Sequence, residues 1–202
     1  LEHEQIQSEK QSKPTTTVDK KAATKRFNDF INEFKSKFNS NSAQSITQAF
    51  NLQKNLLRRL FDLGIEVSVI DSSESIANSH AYHSEGKIYF VADRVNEAYP
   101  EGAPVALFEL GLIHESAHAG TYLLEKQDPE LYISAKENFL QNKELNDLMV
   151  AEYPGYETLS EDNKFYEGVR AIIEGRLKGR TTGLAKGGKF AEFLNKLLNY
   201  IR

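Results

Sequence analysis

Val105-Ala-Leu-Phe-Glu-Leu-Gly-Leu-Ile-His114-Glu115-Ser-Ala-His118 is a long apolar run that ends in an H-E-x-x-H pentapeptide. Residues four apart share one helix face, so both imidazoles can reach a single ion. The glutamate between them lies near the open coordination position, where it can take a proton from water. From Val105 to Leu124 the segment is apolar on nearly every side, which predicts a buried helix. Two imidazoles and a carboxylate are costly to bury together unless they are paired or bind a metal. The competing reading is two core histidines satisfied by hydrogen bonds, with Glu115 in an ion pair.

Composition narrows the chemistry. The chain has 202 residues, 40% of them hydrophobic, and 12 Phe and 9 Tyr supply the bulk for a core. A net charge of −4 argues against a nucleic-acid surface. There is no cysteine, so any zinc must be held by His, Asp or Glu, the usual donors of catalytic sites. No segment has the length of a membrane span and the start lacks a signal-peptide core, so a soluble chain without a membrane partner is expected.

Outward from the motif, the pattern predicts an α+β protein that is mostly helical. Residues 1–20 read as a tail or linker, with 21–202 as a single domain. In that domain 21–64 form a helical pair and 65–202 the core. Phe27, Phe30, Ile31, Phe34 and Phe38 mark the first helix, and a stripe from Ile46 to Phe61 marks the second, ended by Gly64. Asn39 to Ser42 supplies a cap between them. Ile65 to Ile70 alternates as a strand. Ala81-Tyr-His83 and Lys87 to Val91 flank Ser84-Glu-Gly86 as a hairpin. Asp93 to Gly102 reads as a connection, and Pro104 opens the motif helix. Helices follow from Pro129, over Lys143 to Glu152, and from Ser160 to about Lys178. Gly179 to Gly188 reads as a mobile basic loop, and Phe190 to Ile201 as a closing helix.

Catalytic zinc takes three protein ligands and a water. Phe165-Tyr-Glu167-Gly-Val-Arg170-Ala171-Ile-Ile-Glu174 places two glutamates two turns apart on a helix that can cross the first. Gly168 and Ala171 would allow a close approach to the motif helix. Glu167 is the favoured third ligand. Glu174 is the alternative, or a carboxylate that holds a ligand histidine. Both could instead line a solvated acidic face, with Glu174 paired to Lys178. His80 and His83 could ligate or donate to an oxyanion. Tyr153, Tyr156 and Arg170 could stabilise that oxyanion.

Taken in order, the strand from Ile65, Gly86-Lys-Ile-Tyr-Phe-Val91, Leu112-Ile-His-Glu-Ser-Ala-His-Ala-Gly120 and Glu167-Gly-Val-Arg-Ala171 resemble a zinc-peptidase family. It is the metallopeptidase domains of large polyvalent proteins from phages and conjugative elements, within the wider zincin group. A more distant similarity is to phage-linked peptidases that cleave repressors. The resemblance spans roughly residues 65–202. A doubled glutamate is often seen where this chain has Tyr166-Glu167. The resemblance implies a small twisted sheet packed on the H-E-x-x-H helix and a downstream glutamate helix. It also implies Zn2+ on His114, His118 and Glu167, and peptide-bond hydrolysis with Glu115 as general base. The substrate would be a protein or peptide, and the chain's own precursor is one option. The Lys87 to Val91 strand could pair with it. The setting would be cytoplasmic or virion-associated. An inactive zincin-like binding domain of a larger protein is the rival.

Overall fold

The computed structural model describes residues 20–177 and 187–201. The expected tail and the glycine-rich loop fall almost wholly outside these residues. Nine helices and three strands are described: α1 (Lys20–Lys35), α2 (Ser40–Leu52), α3 (Lys54–Asp62), β1 (Glu66–Ile70), β2 (Ala81–Ser84), β3 (Lys87–Val91), α4 (Ala92–Ala98), α5 (Val105–Gln127), α6 (Pro129–Leu140), α7 (Lys143–Glu152), α8 (Glu161–Leu177) and α9 (Gly188–Ile201). The protein is mostly helical α+β, as expected, with a small mixed sheet packed on α5. No helix among the described residues is long and apolar enough to cross a membrane.

The local sequence explains most boundaries. Asn39 caps α2 by accepting from the Ser42 N–H at 2.9 Å. Asp128 and Asn142 do the same for α6 and α7, accepting from Leu131 and Leu145. The Ser160 hydroxyl accepts from Asn163 N–H at the start of α8. The hairpin turns through Glu85 and Gly86, both at positive φ (49° and 78°). Two such residues between Ser84 and Lys87 match the right-handed twist of the strands.

Three expectations need correction. The helix expected from Ile46 to Phe61 breaks at Gln53, whose N–H reaches back to the Ala49 and Asn51 carbonyls. Its side chain also donates to Glu109 on α5 at 2.6 Å, which ties the break to the motif helix. The connection after β3 contains a helix, α4. Pro104 stands just before α5 as its cap residue, where its missing N–H costs nothing.

The sheet runs β1–β3–β2, with β1 parallel and β2 antiparallel to β3. The strand over Lys87 to Val91 is therefore central and paired on both edges, so it has no edge to offer a substrate. Among the described residues, the unpaired edge on the side of the strand that packs on α5 belongs to β2.

Two aromatic cores flank α5. On one side Phe34, Phe50, Phe90 and Phe108 join α1, α2, β3 and α5, with ring centroids 4.8 to 6.2 Å apart along the chain of contacts. On the other, Phe139, Phe165, Phe190 and Phe193 join α6, α8 and α9 at 5.1 to 6.0 Å. The helix between them is buried all round only from Glu115 to Thr121. Its first turns are amphipathic, and Leu110 is exposed. The buried hydroxyls of Ser116 and Thr121 donate to carbonyls of their own helix, Leu112 and Ala117.

Candidate metal centre

The motif spans the start of the fully buried stretch of α5, with His114 half-buried just before it, and α8 packs against this part of the helix. The Nε2 atoms of His114 and His118 face each other at 3.3 Å. Glu167 Oε1, from α8, lies 3.7 Å from His118 Nε2. One ligand atom from each of His114, His118 and Glu167 lies within 4.8 Å of the other two. Donors about 2.0–2.2 Å from a shared ion in a tetrahedron stand roughly 3.3–3.6 Å apart, close to the 3.3 and 3.7 Å separations that His118 makes with His114 and Glu167.

Protonation suits it as well. His114 Nδ1 meets Glu174 Oε1 at 3.1 Å. A carboxylate there keeps the proton on Nδ1 and leaves the Nε2 lone pair directed at the centre. Burial pushes His118 down to about 3, helped by the neighbouring His114, so its ring is neutral and able to ligate. Burial alone would raise the Glu174 carboxyl. The hydrogen bond from His114 and the Arg170 charge outweigh it and hold the group below its ordinary range. The donor set of two imidazoles and a carboxylate fits zinc.

Glu115 is 7% exposed, and its Oε1 lies 3.8 Å from His114 Nε2. Burial is the main force that raises its carboxyl to about 7. The Glu167 and Glu174 charges add to it, and His114 and Arg170 oppose it. In the metal-free protein the group is poised near neutrality, and as a carboxylate beside a bound ion it could accept a proton and return it.

The other candidates are dispersed. His83, on β2, stands in the wall of the site. Its ring lies 6.1 Å from that of His118, and both stack loosely with Tyr166. Its Nε2 is buried with no hydrogen-bond partner among the described residues, and burial lowers its pKa. His80 sits beside Tyr99 and lines a cavity of about 240 Å3 with Ala81, Phe90, Leu107, Gly111 and His114. Tyr156 is buried away from the group, and its hydroxyl donates to Asn146 at 2.9 Å. Arg170 is in the group, but its guanidinium is engaged by Glu167 and Glu174. The expected Glu174–Lys178 pair involves a residue outside the described ones. A Cβ on Gly168 would strike Phe139 of α6, whereas Gly120 of α5 is the close approach to α9, at Leu197.

Sequence reasoning missed Tyr166 as a contributor. Its hydroxyl donates to Glu125 of α5 at 2.9 Å, and its ring covers His118. The signal was its place beside Glu167, which turns it toward a neighbouring stripe of the same helix.

No family model, curated protein or solved structure matches this chain. The site therefore stands on its own geometry: two histidines and a glutamate that could hold a metal ion, consistent with a zincin-like H-E-x-x-H…E arrangement.

Proposed function

We propose that this chain is a zinc-dependent endopeptidase in which His114, His118 and Glu167 hold the ion and Glu115 moves the proton. One observation carries the reading: buried Glu115 places its Oε1 3.8 Å from the inward Nε2 of His114, beside a His–His–Glu group whose ligand atoms lie within 4.8 Å of one another. A bound zinc ion supplies a Lewis acid for the scissile carbonyl and lowers the pKa of water towards about 7. Glu115 takes the proton of the attacking water and delivers it to the leaving amine. Glu174 holds the tautomer of His114 throughout, and burial keeps His118 uncharged.

Two features support a peptide substrate. The outer edge of β2 pairs with no strand among the described residues and lies against α5, so an extended peptide can add to it. The cavity between α5, β2 and β3 is walled by Phe90, Val95, Leu107 and Phe108 and abuts His114, so it suits an apolar side chain of that peptide.

The test is digestion of a peptide library by zinc-loaded protein, with and without chelator. The wild type cleaves and the chelator stops it. Glu115→Gln retains zinc and loses activity by about 10²- to 10⁴-fold. Equal cleavage by that variant rejects Glu115 as base. A wild type that holds zinc and cleaves nothing marks a binding domain instead.

A further inference from the structure

Arg170 lies one turn from Glu167 and one turn from Glu174 on the same stripe of α8. Its Nε and Nη2 both donate to Glu167 Oε2, at 3.1 and 2.7 Å. Its Nη1 donates to Glu174 Oε2 at 3.2 Å. Arg170 engages only the outer oxygen, Oε2, of each carboxylate. The inner oxygens are the ones that face the histidines, 3.7 Å from His118 and 3.1 Å from His114. The guanidinium lies over the Tyr153 ring at 5.8 Å, its side chain is 15% exposed, and its plane is thereby fixed from a third direction.

We infer that Arg170 is a positioning residue, a clasp that fixes which oxygen of Glu167 and of Glu174 faces the metal centre. The inference rests on the metal reading above. A planar fork can hold two carboxylates in one geometry, which a point charge cannot do. With Oε2 occupied, Glu167 offers an ion one oxygen, not two, and a coordination position stays open for water. With Glu174 fixed, the His114 ring keeps its orientation. The guanidinium also offsets the mutual repulsion of Glu167 and Glu174, which otherwise drives the two side chains apart before any ion arrives.

Cobalt(II) titration of the chelator-treated protein tests this, because the intensity of the visible bands reports coordination number as well as affinity. Arg170→Met is expected to weaken cobalt binding by about 10- to 100-fold. Its bands should also fade as the freed Glu167 ligates through both oxygens. Arg170→Lys keeps the charge and loses the fork, so it is expected to lose less affinity but to show the same faded bands. Wild-type affinity and wild-type bands in Arg170→Met overturn the clasp while leaving the metal site intact. If that variant does not fold, Arg170→Lys decides on the same two readings. A wild type that takes up no cobalt overturns the metal site itself, and the clasp with it.

Discussion

Glu115 and His118 act on stability in opposite senses as the pH changes. The folded Glu115 carboxyl sits at about 7, above its ordinary 4.5, so the native state keeps a proton that the unfolded chain has lost. In metal-free protein its contribution therefore declines as pH rises from about 4.5 to 7. His118 sits at about 3, below its ordinary 6.5, so its contribution is present above 6.5 and is lost as pH falls towards 3. Glu115→Gln removes the first effect and leaves the second. Measured by urea denaturation with chelator present, the variant is expected to gain on wild type between pH 4.5 and 7, by up to about 3 kcal/mol. A difference that does not vary with pH contradicts the burial of this carboxylate. His114, Glu115 and His118 were legible in the sequence because their relation is local: helical spacing alone sets them on one face. Helix spacing favoured Glu167 as the downstream partner without excluding Glu174, and the structure groups Glu167 with the histidines. Glu167 and Glu174 are both within reach on one stripe, and only the seating of α8 turns one toward His118 and the other toward His114 Nδ1.

Among the elements, α8 is seated by an absence of side chain. A Cβ on Gly168 would collide with the Phe139 ring, which is fully buried and hemmed in by Phe165 and Phe190. Gly168→Ala gains about 1 kcal/mol in helix propensity. Overpacking costs about 1–3 kcal/mol and tilts the balance against it. Thermal unfolding of the metal-free variant is expected to occur at lower temperature, and its zinc affinity is expected to fall because α8 carries Glu167. A variant as stable as wild type with unchanged affinity would show that the ring can move. The sequence showed that a small residue stood at 168 but not which neighbour it met, since the crossing partner is set by the fold and not by helix period. The break at Gln53 was hidden for a similar reason: the apolar stripe continues through it, and the residue that marks it is bonded far along the chain, to Glu109. Caps and the hairpin turn, which depend on neighbours in the chain, were readable.

For the whole molecule, an ion held between α5 and α8 would bind the folded state alone. Zinc at a hundred times its dissociation constant then adds about 2.7 kcal/mol. In a chain of this length that raises the melting temperature by about 5–10 °C. His118→Ala is expected to abolish the shift, and a wild type with no shift argues against the site. The fold class was legible from periodicity, as was the antiparallel pair. The parallel pairing of β1 with β3 was not, because the connection between them contains a strand that takes the opposite edge. The distance along the chain between α5 and α8 has one more consequence, for the timing of synthesis. A ribosome that has released the histidines has yet to make Glu167, Arg170 and Glu174, roughly fifty to sixty residues further on. At about 5–20 residues per second the nascent polypeptide spends several seconds with its imidazoles uncradled. Until α8 emerges, the two histidines lack the carboxylate that completes the metal-binding group.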